Sequence, residues 1–98
     1  MFNDYDAQTA SRLLAGCVYQ STSSLETPSA FVAVDVAVPK TYVVCELDHA
    51  VPVEAQLSMA SALGERTNIV RVQSGHSVYG NRKVLPDLLR AIEQAADA

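Results

Sequence analysis

The run Thr41-Tyr42-Val43-Val44-Cys45 does most to limit what this chain can fold into. β-branched, aromatic and small apolar residues follow one another there without polar alternation. A strand of that kind is covered on both faces, as in a parallel sheet with helices above and below. The chain after it keeps to the same plan. Val51-Pro52 breaks the backbone path, and Val53, Leu57, Ala60 and Leu63 then recur at helical spacing until Gly64 stops them. Asn68 to Gln73 reads as a second strand, with Val70 and Val72 on one face and Arg71 and Gln73 on the other, a pattern suited to an edge. Ser74-Gly75 turns the chain out of it. Leu85, Leu88, Leu89, Ile92 and Ala96 place a last helix over residues 83–96, with Pro86 in its first turn, where the missing amide has no helical partner. Strand, helix, strand, helix implies a right-handed crossover and a parallel pair. Two such strands are too few for a self-contained sheet, so the fold class expected is α/β, as the end of a larger α/β fold.

The first part of the chain is less regular. Ala7, Ala10, Leu13 and Leu14 mark a short helix that Asp6 can cap and Gly16 can end. Residues 20–29 are rich in Ser and Thr and close on Pro28 and Ser29, which predicts a loop with one helical turn near Ser23-Ser24-Leu25. Residues 30–38 are apolar but interrupted by Asp35 and closed by Pro39; they suggest partly extended chain without a firm strand. At 98 residues, 49% hydrophobic and 18% charged, the chain is one small globular domain. A net charge of -4, with Arg82-Lys83 the only basic pair, gives no reason to expect nucleic acid or an anionic membrane as partner. No apolar run reaches the ~20 residues that span a bilayer. The acidic start, Met1-Phe2-Asn3-Asp4-Tyr5-Asp6, lacks the order of a signal peptide. Cys17 and Cys45 fit neither a disulfide framework nor a CxxC metal site, and read as reduced, half-buried small hydrophobes of a cytoplasmic protein.

Two residues carry the chemistry. Asp48 follows the first strand and His76 follows the second, in the loop Gly75-His76-Ser77. In open α/β sheets catalytic groups gather at the carboxyl ends of the strands, so both stand on one rim. A buried aspartate that accepts from one imidazole nitrogen fixes the tautomer and frees the other nitrogen to take a proton from a serine hydroxyl.

The segment Tyr42-Val43-Val44-Cys45-Glu46-Leu47-Asp48-His49-Ala50-Val51-Pro52, then Gln56 and Met59, then Ser74-Gly75-His76-Ser77, resembles the C-terminal end of α/β-hydrolases. The branch it is most similar to holds the plant methylesterases, the hydroxynitrile lyases and many small fungal and bacterial hydrolases. The match runs from about Pro39 to the C-terminus and is loose before that. The resemblance implies that Asp48 is the triad acid and His76 the triad base, in the family's chain order with the serine first. It implies residues 1–29 as a cap remnant and return loop, and residues 30–98 as the C-terminal β-α-β-α part of the core. Ester or related acyl hydrolysis would be the chemistry, or cyanohydrin cleavage in some relatives, on a small ester-type substrate and with no cofactor. His49 stands where Lys, Gln or Arg is commoner in the family, and Gly80-Asn81-Arg82-Lys83 replaces its usual loop after the histidine.

The nucleophile is the missing third. The family's G-x-S-x-G elbow would lie about a hundred residues upstream of the acid by that resemblance, and the chain is expected to begin after it. Ser77, in Gly75-His76-Ser77-Val78-Tyr79-Gly80, imitates an elbow, but Tyr79 stands where a small residue is needed and no histidine follows. Cys17 has no electropositive setting to make a thiolate. Asp48, His49 and His76 have the types of a two-His carboxylate metal site, but an adjacent Asp and His seldom converge on one ion. The expectation is a hydrolase-like chain that is silent by itself, and the alternative is a non-catalytic interaction module derived from a hydrolase C-terminus. With a strand edge left unpaired, self-association is expected in either case.

Overall fold

The computed structural model describes residues 1–97 and is built as a small α/β arrangement of two parallel strands and four helices. Helix α1 (Ala7–Ala15) starts where Asp6 accepts the Thr9 amide at 2.9 Å and the Thr9 hydroxyl at 2.7 Å, a side-chain cap for amides that have no helical partner. Helix α2 (Thr22–Glu26) is a short piece capped by Ser21. Residues 30–38 form no strand. Asp35 turns back to accept the Val32 amide at 3.0 Å and closes a 3-10 turn over Ala33–Asp35, a local bond that competes with any ladder. Residues 11–39 are exposed throughout.

Strand β1 (Lys40–Cys45) pairs in parallel with β2 (Thr67–Val72), from Lys40 against Thr67 to Cys45 against Val72. Helix α3 (Val53–Ser61) makes the crossover, and Gly64, at φ 108°, lets the chain leave it through a left-handed turn. After β2 a 3-10 turn at Val78–Gly80 precedes helix α4 (Leu85–Ala96), which begins two residues later than its apolar spacing suggests.

The buried apolar residues are Val44, Cys45, Ala60, Val72, Val84 and Ala91. Coverage of β1 is therefore not uniform: residues 40–43 are only half-buried, while Val44 and Cys45 are buried. The stripe on α4 is likewise split. Leu85 and Leu88 are half-buried and Ala91 is buried, whereas Leu89 and Ile92 are more than half exposed, because a two-stranded sheet is narrower than the helix face laid against it. Cys45 is buried and Cys17 is exposed, not half-buried; both are free thiols. A radius of gyration of 15.3 Å exceeds the roughly 13 Å of a compact chain this long, as the exposed first part requires.

One helical residue finishes the sheet. The Glu46 amide bonds across to Val72, so alternation turns the N–H and C=O of Cys45 toward the opposite, open edge. Gln56 meets both there. Its carbonyl accepts the Cys45 amide at 2.8 Å and its NH2 donates to the Cys45 carbonyl at 2.8 Å and the Val51 carbonyl at 2.9 Å. A side-chain amide on α3 thus takes the place of a neighbouring strand at the last residue of β1.

Candidate functional site

Past the ends of β1 and β2 the ladder runs on briefly: the Leu47 amide donates to the Ser74 carbonyl at 3.0 Å, tying the two outgoing loops together. The next residue of one loop is Asp48, and His76 lies two residues on in the other. The structure brings the two together, with His76 Nδ1 at 2.8 Å from Asp48 Oδ2.

The carboxylate is held on both oxygens. Oδ1 accepts the Ala50 amide at 2.7 Å and the Val51 amide at 3.1 Å, the bonds of an Asx turn leading into α3. Asp48 is thus a turn aspartate and a histidine partner at once. Its side chain is 3% exposed and that of His76 is 39% exposed. Burial pushes the Asp48 carboxyl up, but the bond from His76 and the amides of Val51 and Ala50 outweigh it, and the group ends below its ordinary value. The acid is therefore charged at neutral pH and accepts from Nδ1. With Nδ1 donating to the carboxylate, a neutral imidazole has its lone pair on the outer nitrogen, Nε2, which is engaged by no side chain among the described residues. The arrangement can take a proton from an incoming hydroxyl and stabilise the imidazolium that results.

The other candidates do not join this pair. His49 is exposed and directed into no bond among the described residues. No group of three or more His, Cys, Asp or Glu side chains among those residues could hold a metal ion. Ser77 is 2% exposed and its backbone sits at φ −94°, ψ 68°, outside the left-handed region. Cys17 is exposed just past the end of α1, its thiol near the Leu13 carbonyl. No helix among the described residues is long and apolar enough to cross a membrane.

Residues that sequence reasoning did not assign to the site also reach it. Asn3 Nδ2 donates to the Leu47 carbonyl at 2.8 Å, Asp4 Oδ2 accepts the Gly75 amide at 2.9 Å, and the Tyr5 hydroxyl donates to the Ser77 carbonyl at 2.7 Å. The compact cluster of polar residues at positions 3–6 was the available signal, but nothing in it names partners 44 to 72 residues away. No family model, no curated protein and no solved structure matches this chain.

Proposed function

We propose that this chain supplies the acid and the base of a Ser-His-Asp triad of the α/β-hydrolase type, Asp48 as acid and His76 as base, for hydrolysis of an ester or related acyl compound. The observation that carries the reading is the 2.8 Å bond between Asp48 Oδ2 and His76 Nδ1, with Oδ1 fixed by two amides, at the carboxyl rim of adjacent parallel strands. Nε2 takes the proton of a serine hydroxyl as the oxygen attacks the acyl carbon, and returns it to the departing alkoxide. Water then repeats the transfer to release the acid. Asp48 stays ionised throughout and steadies the imidazolium. The serine and the oxyanion donors come from outside these residues, and substrate choice resides with them.

A chimera tests this. Residues 1–97, which keep Asn3, Asp4 and Tyr5 bonded beside Asp48 and His76, are set in place of the C-terminal portion of an active α/β-hydrolase, and turnover of a p-nitrophenyl ester is followed beside that of the 98-residue chain. The chain alone is expected to show no turnover and no labelling by a fluorophosphonate. The chimera is expected to turn over, with a loss on the order of 10⁶-fold on His76→Ala. A folded chimera whose rate does not change on His76→Ala, or labelling of the isolated chain at Ser77, would refute the assignment. A folded chimera that keeps the Asp48–His76 bond but binds without turnover would favour the non-catalytic module.

A further inference from the structure

Three consecutive residues near the start of the chain each bond the backbone beside one of the two site residues. Asn3 holds the carbonyl of Leu47, the residue before Asp48. Asp4 holds the amide of Gly75, the residue before His76. Tyr5 holds the carbonyl of Ser77, the residue after His76. We infer that Asn3-Asp4-Tyr5 is a positioning brace that sets the distance between Asp48 and His76, an inference that rests on the triad reading above.

The brace is built into the surrounding loop. Asp4 Oδ2 also accepts the Ser74 hydroxyl at 3.2 Å and the Asn81 side-chain amide at 2.5 Å, so one carboxylate oxygen gathers both ends of the loop that carries His76. Ser74 is fully buried and Ser77 nearly so, whereas the imidazole between them is exposed. The ring therefore gains little from packing, and its place depends on the backbone that flanks it. The glycines of the loop make the room. A Cβ on Gly75 would lie 2.5 Å from Asp4 Oδ1 and 2.9 Å from Asn3 Oδ1, and a Cβ on Gly80 would fall on the Tyr5 hydroxyl. Gly75 is thus needed by the side chains laid across it, since its own backbone has no left-handed φ. The segment ahead of α1 then acts as a strap over the rim, with the Phe2 and Tyr5 rings tilted against each other at 5.4 Å between centroids. None of the three residues touches the position of Nε2, so they act through the pair and not on a substrate.

The test is the exchange of the His76 Nδ1 proton with water, read by proton NMR on chain labelled with ¹⁵N-histidine. Wild type is expected to show a protected, far-downfield Nδ1 proton that Asp48→Asn abolishes. Tyr5→Phe removes one hydroxyl and is expected to speed exchange on the order of tenfold. Asp4→Ala and Gly75→Ala are expected to lose the resonance, whereas Asp4→Asn, which keeps the acceptor, retains it. Val44→Ala destabilises the core away from the strap and serves as the structural control, with exchange expected within about twofold of wild type once measured at equal distance from its own Tm. Unchanged exchange in Tyr5→Phe together with a retained resonance in Asp4→Ala would overturn the brace, as would equal acceleration by Val44→Ala. A wild type without the protected proton would defeat the pair itself; an inactive chimera would defeat the hydrolase reading and leave the brace measured.

Discussion

Gln56 gives the sharpest test of how the β1 end of the site is held. Its side chain is 3% exposed and serves three backbone groups, the N–H and C=O of Cys45 and the C=O of Val51. Gln56→Ala leaves the buried Cys45 amide without a partner, at a cost of about 1–3 kcal/mol, and leaves the Cys45 carbonyl with only the Asp48 amide at 3.3 Å. The expected loss is about 2–3 kcal/mol. For a chain of this size about 1 kcal/mol moves Tm by 4–8 °C, so the melting point read by circular dichroism should fall by about 8 °C or more. Val51, released at its carbonyl, also presents one of the two amides that fix Asp48, so protection of that amide from hydrogen exchange should fall with it. Gln56→Glu separates the donor role from the acceptor role. It keeps an oxygen for the Cys45 amide but offers the two carbonyls no hydrogen when ionised. Its buried carboxyl has a raised folded pKa, so the variant regains stability as pH falls and loses it as pH rises through that value. A loss below about 0.5 kcal/mol in Gln56→Ala, with Val51 protection unchanged, would show that the end of β1 does not depend on this side chain.

Acid should act through the carboxylates at the rim. The folded-state pKa values of Asp48 and Asp4 lie below their ordinary ones, so each contributes stability that is full above the unfolded value of about 3.9 and is lost as pH falls through the lower folded value. Asp48→Asn should therefore flatten the acid limb of a urea-stability profile, and an unaltered limb would contradict the assignment of that carboxylate. His76→Ala leaves Oδ2 of the buried Asp48 side chain without its partner and should cost about 1–3 kcal/mol in the same assay, so a much larger loss would mean that the ring is structural. Association is a fourth consequence. By strand alternation Thr41 and Val43 turn their N–H and C=O toward the open edge of β1, and Phe31, Val32, Val34 and Val38 stand at least half exposed. The isolated chain is expected to pair with a second copy of itself, and sedimentation velocity at two concentrations that returned a single monomer species would overturn this.

Different parts of this organisation were legible to different degrees. The strand-helix-strand-helix order follows from local periodicity, and β1, α3, β2 and α4 stand where Tyr42-Val43-Val44-Cys45, Leu57 and Ala60, Val70 and Val72, and Leu88 place them. Asp48 and His76 could be brought together from topology, since parallel neighbours deliver their following loops to one rim. Burial on α4 was less legible: Leu89 and Ile92 belong to the same periodic stripe as Leu85 and Leu88, and only the width of the sheet decides which of them it covers. The reading of residues 30–38 as partly extended chain without a strand holds at Val32 and Val36, and what it missed is the turn between them, closed where the Asp35 side chain accepts the Val32 amide. Asn3, Asp4 and Tyr5 were not legible as site residues at all, because each bonds a main-chain group, and main-chain groups leave no mark on residue identity. The nearest trace of them is glycine at positions 75 and 80.

The measurement that bears most directly on the central claim is the tautomer of neutral His76 in wild type and Asp48→Asn, read from long-range ¹H–¹⁵N couplings at alkaline pH. In wild type the carboxylate accepts at Oδ2, so the proton is expected on Nδ1 and the lone pair on Nε2, as a general base requires. In Asp48→Asn the amides of Ala50 and Val51 hold the carbonyl oxygen at the Oδ1 position. The new NH2 then donates to Nδ1 and the ring proton moves to Nε2, which abolishes the base. A ring whose tautomer is mixed in wild type, or the same in both proteins, would contradict the account.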